Sequence, residues 1–147
     1  MIRIEQSTVI RKKPAEVFGF ISDISNLPRW QAGAIKSEMV GDSPLATGSR
    51  FREVVRVGPL KLDTECVVTE LRDSEVFAFE AMSSPIDYAG SFRFTQEADG
   101  TRVSLRAVAQ MKGVWRLLEP LLAGDLHKES RVELENLRRV LEAGQPV

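Results

Sequence analysis

Few residues in this chain could move protons from inside a folded core, and Glu53 is the foremost of them. Across Ser49–Val57 the residues alternate, with Phe51, Glu53, Val55 and Val57 on one face and Arg50, Arg52, Val54 and Arg56 on the other. Alternation of period two is a strand signal, and it aligns this carboxylate with apolar neighbours that belong in an interior. A carboxyl buried there has a raised pKa, suited to holding a proton or binding a ligand hydroxyl. The plainer alternatives are a register slip, a bulge or an arginine partner, any of which disarms it. His127 is the sole histidine and shares a helical stripe with Ser130 and Leu134. If it meets Glu53, the two form the best acid/base pair in the chain; otherwise it is a solvated or structurally bonded histidine. Tyr88, preceded by Asp87, could bring a hydroxyl to the same interior, where a buried phenol wants a partner. Cys66 alternates inward with Thr64 and reads as a small core filler rather than a nucleophile.

Other chemistries find little support. There is no Gly-rich phosphate loop and no Gly-x-Ser-x-Gly elbow. A Ser-His-Asp or Cys-His arrangement assembles in space rather than in sequence, and His127 would be the base in any of them. One cysteine rules out an internal disulfide and a cysteine-rich zinc site. With a single histidine as well, a metal would rest on carboxylates, so neither metal nor cofactor is expected.

The element that must position these groups is the stretch from Gly113 to Gly144, where helical periodicity is sustained. Leu134, Leu137 and Leu141 recur at spacings of three and four, and Ser130, His127 and Ala123 extend the stripe backwards. Glu133, Glu135, Arg138, Arg139 and Glu142 fill the remaining faces. The start is apolar nearly all round, through Trp115, Leu117, Leu118, Leu121 and Leu122. Pro120 and Gly124 fall in this part, at a cost of about 3 and 1 kcal/mol in a helix interior, so a bend or a short helix before a longer one is expected.

Upstream, the pattern changes to strands. Ile2, Ile4 and Val9 suggest a first strand over residues 2–10, ended by Lys13-Pro14. PAEVFGFISDI then reads as a short helix with Val17, Phe18 and Ile21 on one face. Asp23 or Ser25 can cap a second, SNLPRW, ending near Trp30. From Ile35 a meander follows. Its segments are Ile35–Val40, Ser49–Val57, Leu60–Leu71, Val76–Met82, Asp87–Gln96 and Thr101–Gln110, separated by GDSP, Gly58-Pro59, Arg72-Asp73-Ser74, Ser83-Ser84-Pro85 and Asp99-Gly100. Leu62, Thr64, Cys66 and Val68 share a face, as do Tyr88, Gly90, Phe92 and Phe94, and Val103, Leu105, Ala107 and Ala109. A sheet of that length with one apolar face curves, and the long helix fills its concave side. The fold class is α+β.

The 147 residues suit one domain spanning 1–147. Twenty basic and 21 acidic residues are spread without blocks, for a net charge of −1. That balance argues against a nucleic-acid surface or a polybasic membrane anchor. The N-terminus has no apolar signal core and no run approaches the ~20 residues of a membrane span, so a cytoplasmic location is expected.

In order and spacing, "KKPAEVFGFISDISNLPRW", "GSRFRE", "CVVTELRDSEVFAFE", "FRFTQEADGTRVSLR" and "ELENLRRVLE" resemble the START-like or SRPBCC superfamily, the polyketide cyclase/dehydrase and lipid-transport group. The resemblance covers roughly residues 2–143. It implies a helix-grip fold: a curved seven-stranded antiparallel sheet around a long C-terminal helix, two short helices after the first strand, and a ligand cavity between sheet and helix. It implies no reaction, since the superfamily shares no catalytic set. Its tryptophan after the short helices, here Trp30, is more often packing than ligand contact.

Two functions from different classes follow. The first is binding of a small hydrophobic molecule, lipid-like, aromatic or polyketide-like, without bond chemistry. Its wall would draw on Trp30, Phe51, Glu53, Thr64, Cys66, Phe79, Tyr88, Phe92, Trp115, Leu118, Leu122 and His127. The second is a cyclase, dehydratase or isomerase in which Glu53, His127 or Tyr88 moves protons. A third reading is a protein-interaction module whose cavity is filled by its own side chains. The scarcity of inward polar groups favours binding. A homodimer is left open.

Overall fold

The computed structural model describes residues 1–31, 33–57, 60–83 and 86–143. The chain opens with β1 (Ile2–Ile10), then α1 (Pro14–Ser22), a 3-10 turn (Ile24–Asn26) and the single-turn α2 (Leu27–Trp30). A meander follows: β2 (Ala34–Met39), β3 (Arg50–Val57), β4 (Leu60–Arg72), β5 (Val76–Ser83), β6 (Ile86–Glu97) and β7 (Gly100–Met111). A second 3-10 segment (Gly113–Leu118) leads into α3 (Glu119–Glu142).

Strands β2 to β7 pair antiparallel in sequence order, and β1 pairs antiparallel with β7, giving the sheet order β1-β7-β6-β5-β4-β3-β2. The excursion through α1 and α2 carries the chain from one sheet edge to the other. Register shifts at Ala34/Lys36 and Val68/Glu70 put bulges in β2 and β4, which add local twist and bend the sheet. The product is the curved helix-grip sheet. The Gly58-Pro59 turn and the Ser84-Pro85 separator lie outside the described residues.

Local chemistry explains the joints. Pro14 occupies the first turn of α1, where its missing N–H costs nothing. Asp23 accepts from the Ser25 backbone N–H at 3.1 Å and caps the 3-10 turn. Thr101 is fully buried and its hydroxyl donates to the Lys12 carbonyl at 2.7 Å, tying the β1–α1 corner to β7. Beside it Gly100, at φ 150°, passes so close to Ile10 that a Cβ would lie 2.0 Å from that residue's carbonyl oxygen.

The core fills the space between sheet and helices. Trp30 meets Phe92 edge-on at 5.5 Å, Phe92 stacks with Phe77 at 6.5 Å, and Phe18 meets Phe94 edge-on at 5.6 Å. Strand parity holds through β3, β4, β6 and β7: Phe51, Glu53, Thr64, Cys66, Val68, Phe92, Phe94, Val103, Leu105 and Ala109 are all buried. In β1 the inward residues are Ile2, Ile4 and Ile10; Val9, of opposite parity, is only partly buried.

The 3-10 segment before α3 is the short element expected ahead of the long one, and Pro120 fits in the first turn of α3. The helix then runs through Gly124. Its buried stripe is Leu122, Leu126, Ser130, Leu134, Leu137 and Leu141, so from Ser130 it continues backwards by fours. His127 and Ala123 are therefore off the stripe, and His127 is exposed. Polar ties hold α3 in place: the Met1 amino group pairs with Glu119, Arg11 N–H donates to Glu142 at 3.0 Å, and Asn136 Nδ2 donates to the Trp30 carbonyl at 3.3 Å. Among the described residues no helix is long and apolar enough to cross a membrane.

Candidate functional site

Between the concave face of the sheet and the middle of α3 the core does not close. A cavity of about 100 Å³ remains there. The sheet contributes Ile4, Glu53, Val55, Leu62, Thr64, Phe79, Ala81, Ile86, Tyr88 and Ala109, and the helix contributes Leu126, Glu129, Ser130 and Glu133. Gln31 and Arg56 complete the lining. Small side chains at three of the lining positions, Ala81, Ala109 and Ser130, leave this space open.

Most of this wall is apolar, and its carboxyls come from Glu53 and the helix, beside the polar side chains of Gln31, Arg56, Thr64, Tyr88 and Ser130. Glu53 is 6% exposed and its Oε2 has no hydrogen-bond partner among the described residues. Burial pushes its carboxyl up to about 7, because the cavity offers the charged form little solvation. Glu129 and Glu133, one helical turn apart, present two more carboxyls. Burial, then the nearby Asp125, raises Glu129 to about 7. Glu133 is held well above the ordinary carboxyl range, first by burial and then by the charges of Glu53 and Glu129. The Tyr88 phenol is also pushed up, by burial and then by Glu133, so it stays a neutral donor across the usual pH range. Its ring lies 5.8 Å from that of Phe79. Gly90 leaves room for this pair, since a Cβ there would be 3.1 Å from the Tyr88 ring.

Of the residues expected at the site, Glu53, Thr64, Phe79 and Tyr88 line the cavity. Phe51, Cys66, Phe92, Leu122 and Trp30 are buried in the packed core instead. For Cys66, burial followed by the charges of Glu53 and Glu65 raises the thiol strongly, which disfavours the reactive thiolate. Leu118 packs partly buried at the core's edge, and Trp115 is 36% exposed in the 3-10 segment, so neither reaches the lining. His127 is the main correction. It lies in a surface groove with Met1, Arg3, Arg116 and Glu119, and does not pair with Glu53 across the cavity. Arg56, which alternation sets on the strand face opposite Glu53, is exposed and still reaches the cavity, at its mouth.

Glu129 and Glu133 are the site residues that periodicity missed. Their i,i+4 spacing on the flank of a stripe carrying Ser130 was the available signal, but it is also the pattern of a solvated helix face. Among the described residues no group of three or more His, Cys, Asp or Glu side chains is arranged to hold a metal ion.

The comparisons with known proteins agree with this architecture. The family described as "Polyketide cyclase / dehydrase and lipid transport" matches residues 1–142. No curated protein sequence matches the chain. Among solved structures, TTHA0849 from Thermus thermophilus superposes with a TM-score of 0.82 at 20% identity, covering 98% of this chain and 99% of that one. The Zhui aromatase/cyclase from Streptomyces sp. R1128 gives 0.75 at 14% identity, with 98% of each chain covered. BexL, a di-domain ARO/CYC of the BE-7585A biosynthetic pathway, gives 0.71 at 17% identity; 99% of this chain matches 48% of that one. At these identities the likeness establishes the fold.

Proposed function

The chain belongs to the polyketide cyclase/dehydrase and lipid-transport family, and from that premise we propose that it binds a small, largely hydrophobic molecule between its sheet and α3. The observation that carries this reading is the unfilled cavity itself. Val55, Leu62, Phe79, Ile86 and Leu126 give it apolar walls, while Glu53 offers a buried oxygen with no partner among the described residues. A ligand with an apolar body and one polar end satisfies both features, as small-molecule pockets generally do. An interaction module would instead have closed this space with its own side chains.

The direct test is binding of N-phenyl-1-naphthylamine, a neutral apolar fluorophore, alongside native mass spectrometry for co-purified molecules. The expected result is saturable fluorescence enhancement that Ala109→Leu, which fills the cavity from β7, weakens at least tenfold. Equal binding by the variant would place the probe elsewhere and count against the reading.

A second reading, proton-transfer catalysis of the cyclase, dehydratase or isomerase type, is favoured by the state of Glu53. A carboxyl ionising near 7 can accept a proton from one substrate atom and return it to another, which is the match general acid/base catalysis requires. Tyr88 could donate a hydrogen bond to a substrate oxygen in the same cavity. The aromatase/cyclases sharing the fold give this reading a substrate type to try, a polyketide-like chain or ring. Glu53→Gln separates the two. In a catalyst it lowers kcat by about 10²–10⁴ with binding retained, whereas in a binder only affinity moves.

A further inference from the structure

Taking the cavity as a small-molecule site, as proposed above, we propose that its ligand carries a protonated amine on an apolar body, with Glu53, Glu129 and Glu133 receiving the cation. The first ground is the orphaned Oε2 of Glu53, in a side chain only 6% exposed and lining the cavity. A buried carboxylate oxygen without a donor is costly, and a ligand N–H would satisfy it.

The second ground is the distribution of charge around that oxygen. From β3 come Glu53 and, at the mouth, the exposed Arg56. The described lining residues of β1, β4, β5 and β7 carry no charge: they are Ile4, Leu62, Thr64, Phe79, Ala81 and Ala109. Tyr88 on β6 is a neutral phenol, with Ile86 beside it. The helix adds Glu129 and Glu133, with Asp125 one turn before Glu129. Carboxyls thus line both walls, and the one lining cation among the described residues sits at the rim. An ammonium between these walls lowers the proton affinity of every carboxyl facing it, whereas a ligand carboxylate raises it further. The tilted Tyr88 and Phe79 rings supply π-faces to the same cation.

This separates ligands that are alike in shape. The test is calorimetric titration of the full chain with 2-phenylethylamine, 2-phenylethanol and phenylacetate at pH 7.5, in two buffers of different ionisation enthalpy. The amine is expected to bind at least tenfold more tightly than the alcohol, with phenylacetate weakest. Amine binding should release protons to the buffer, because the carboxyls ionise as the cation enters. Its affinity should rise from pH 6 to 8, below the ammonium's own pKa of about 10. The double variant Glu53→Gln, Glu133→Gln should bring the amine-to-alcohol ratio close to one. Alcohol binding as tight as amine binding, without proton release, would overturn the cationic ligand; the cavity reading would stand if N-phenyl-1-naphthylamine still bound. Failure of the fluorophore and of all three ligands would overturn the cavity reading as well.

Discussion

Glu53 on β3 and Glu133 on α3 face one cavity from opposite walls, and the negative charge of Glu53 raises the proton affinity of Glu133. The polar chemistry of the fold therefore lies across the sheet–helix interface rather than on either element alone. Any shift of α3 against the sheet changes both groups together.

Stability should fall as pH rises through the neutral range. Glu53 has a folded-state pKa near 7 against an ordinary 4.5, so between those values the folded chain binds the proton that the unfolded chain has lost. Its contribution is fully present below about pH 4.5 and lost by about pH 7, a change on the order of 3 kcal/mol. Glu53→Gln should make that slope shallower, while Glu129 and Glu133, also raised, keep the remainder. Denaturant unfolding at pH 5 and pH 8 should give the variant a stability close to the parent at pH 5 and above it at pH 8. Parallel curves at both pH values would contradict a buried, uncompensated carboxyl.

His127 and Trp30 should respond in opposite ways to truncation. His127 is exposed, so His127→Ala should change stability by no more than about 0.5 kcal/mol and leave N-phenyl-1-naphthylamine binding unchanged. Trp30 is 1% exposed and packs edge-on against Phe92, so Trp30→Ala should cost about 3–5 kcal/mol in urea unfolding. Loss of probe binding in the histidine variant would return that residue to the site.

Cys66 should be inert in the folded protein. It is 1% exposed, and its environment raises the thiol. A chromogenic disulfide reagent at pH 8 should therefore label it only as fast as the protein opens, and rapidly once urea is added. Fast labelling in native buffer would show that the core around Cys66 opens readily and would contradict its burial.

Gly100 should not tolerate a side chain. Its positive φ and the 2.0 Å approach of a Cβ to the Ile10 carbonyl oxygen combine strain with a clash against backbone. Gly100→Ala should cost roughly 2 kcal/mol or more, read as a lowered melting temperature. Gly19→Ala, where nothing lies within 4 Å of the added carbon and the position is helical, should be neutral or stabilising.

The strands were legible in the sequence because a side chain's face depends only on whether its position is odd or even. That parity was enough to place Glu53, Thr64 and Tyr88 inward with the apolar residues around them. It did not say which inward residues meet a void and which meet another side chain. Phe51, Cys66 and Phe92 share that parity and lie in solid core. The helix was harder to read. At about 100° per residue, Glu129 and His127 lie roughly 80° to either side of the buried stripe, so periodicity gives them equal standing. The tertiary structure broke that symmetry. The bent sheet extends beneath one flank of α3 and leaves the other facing the groove beside Met1 and Arg3, which covers the carboxyls of Glu129 and Glu133 and exposes His127. Local pattern thus determined the fold class and the first acid, through a repeat that two residues suffice to define. The other acids depended on which side of a cylinder a curved surface covers, and only the assembled sheet decides that.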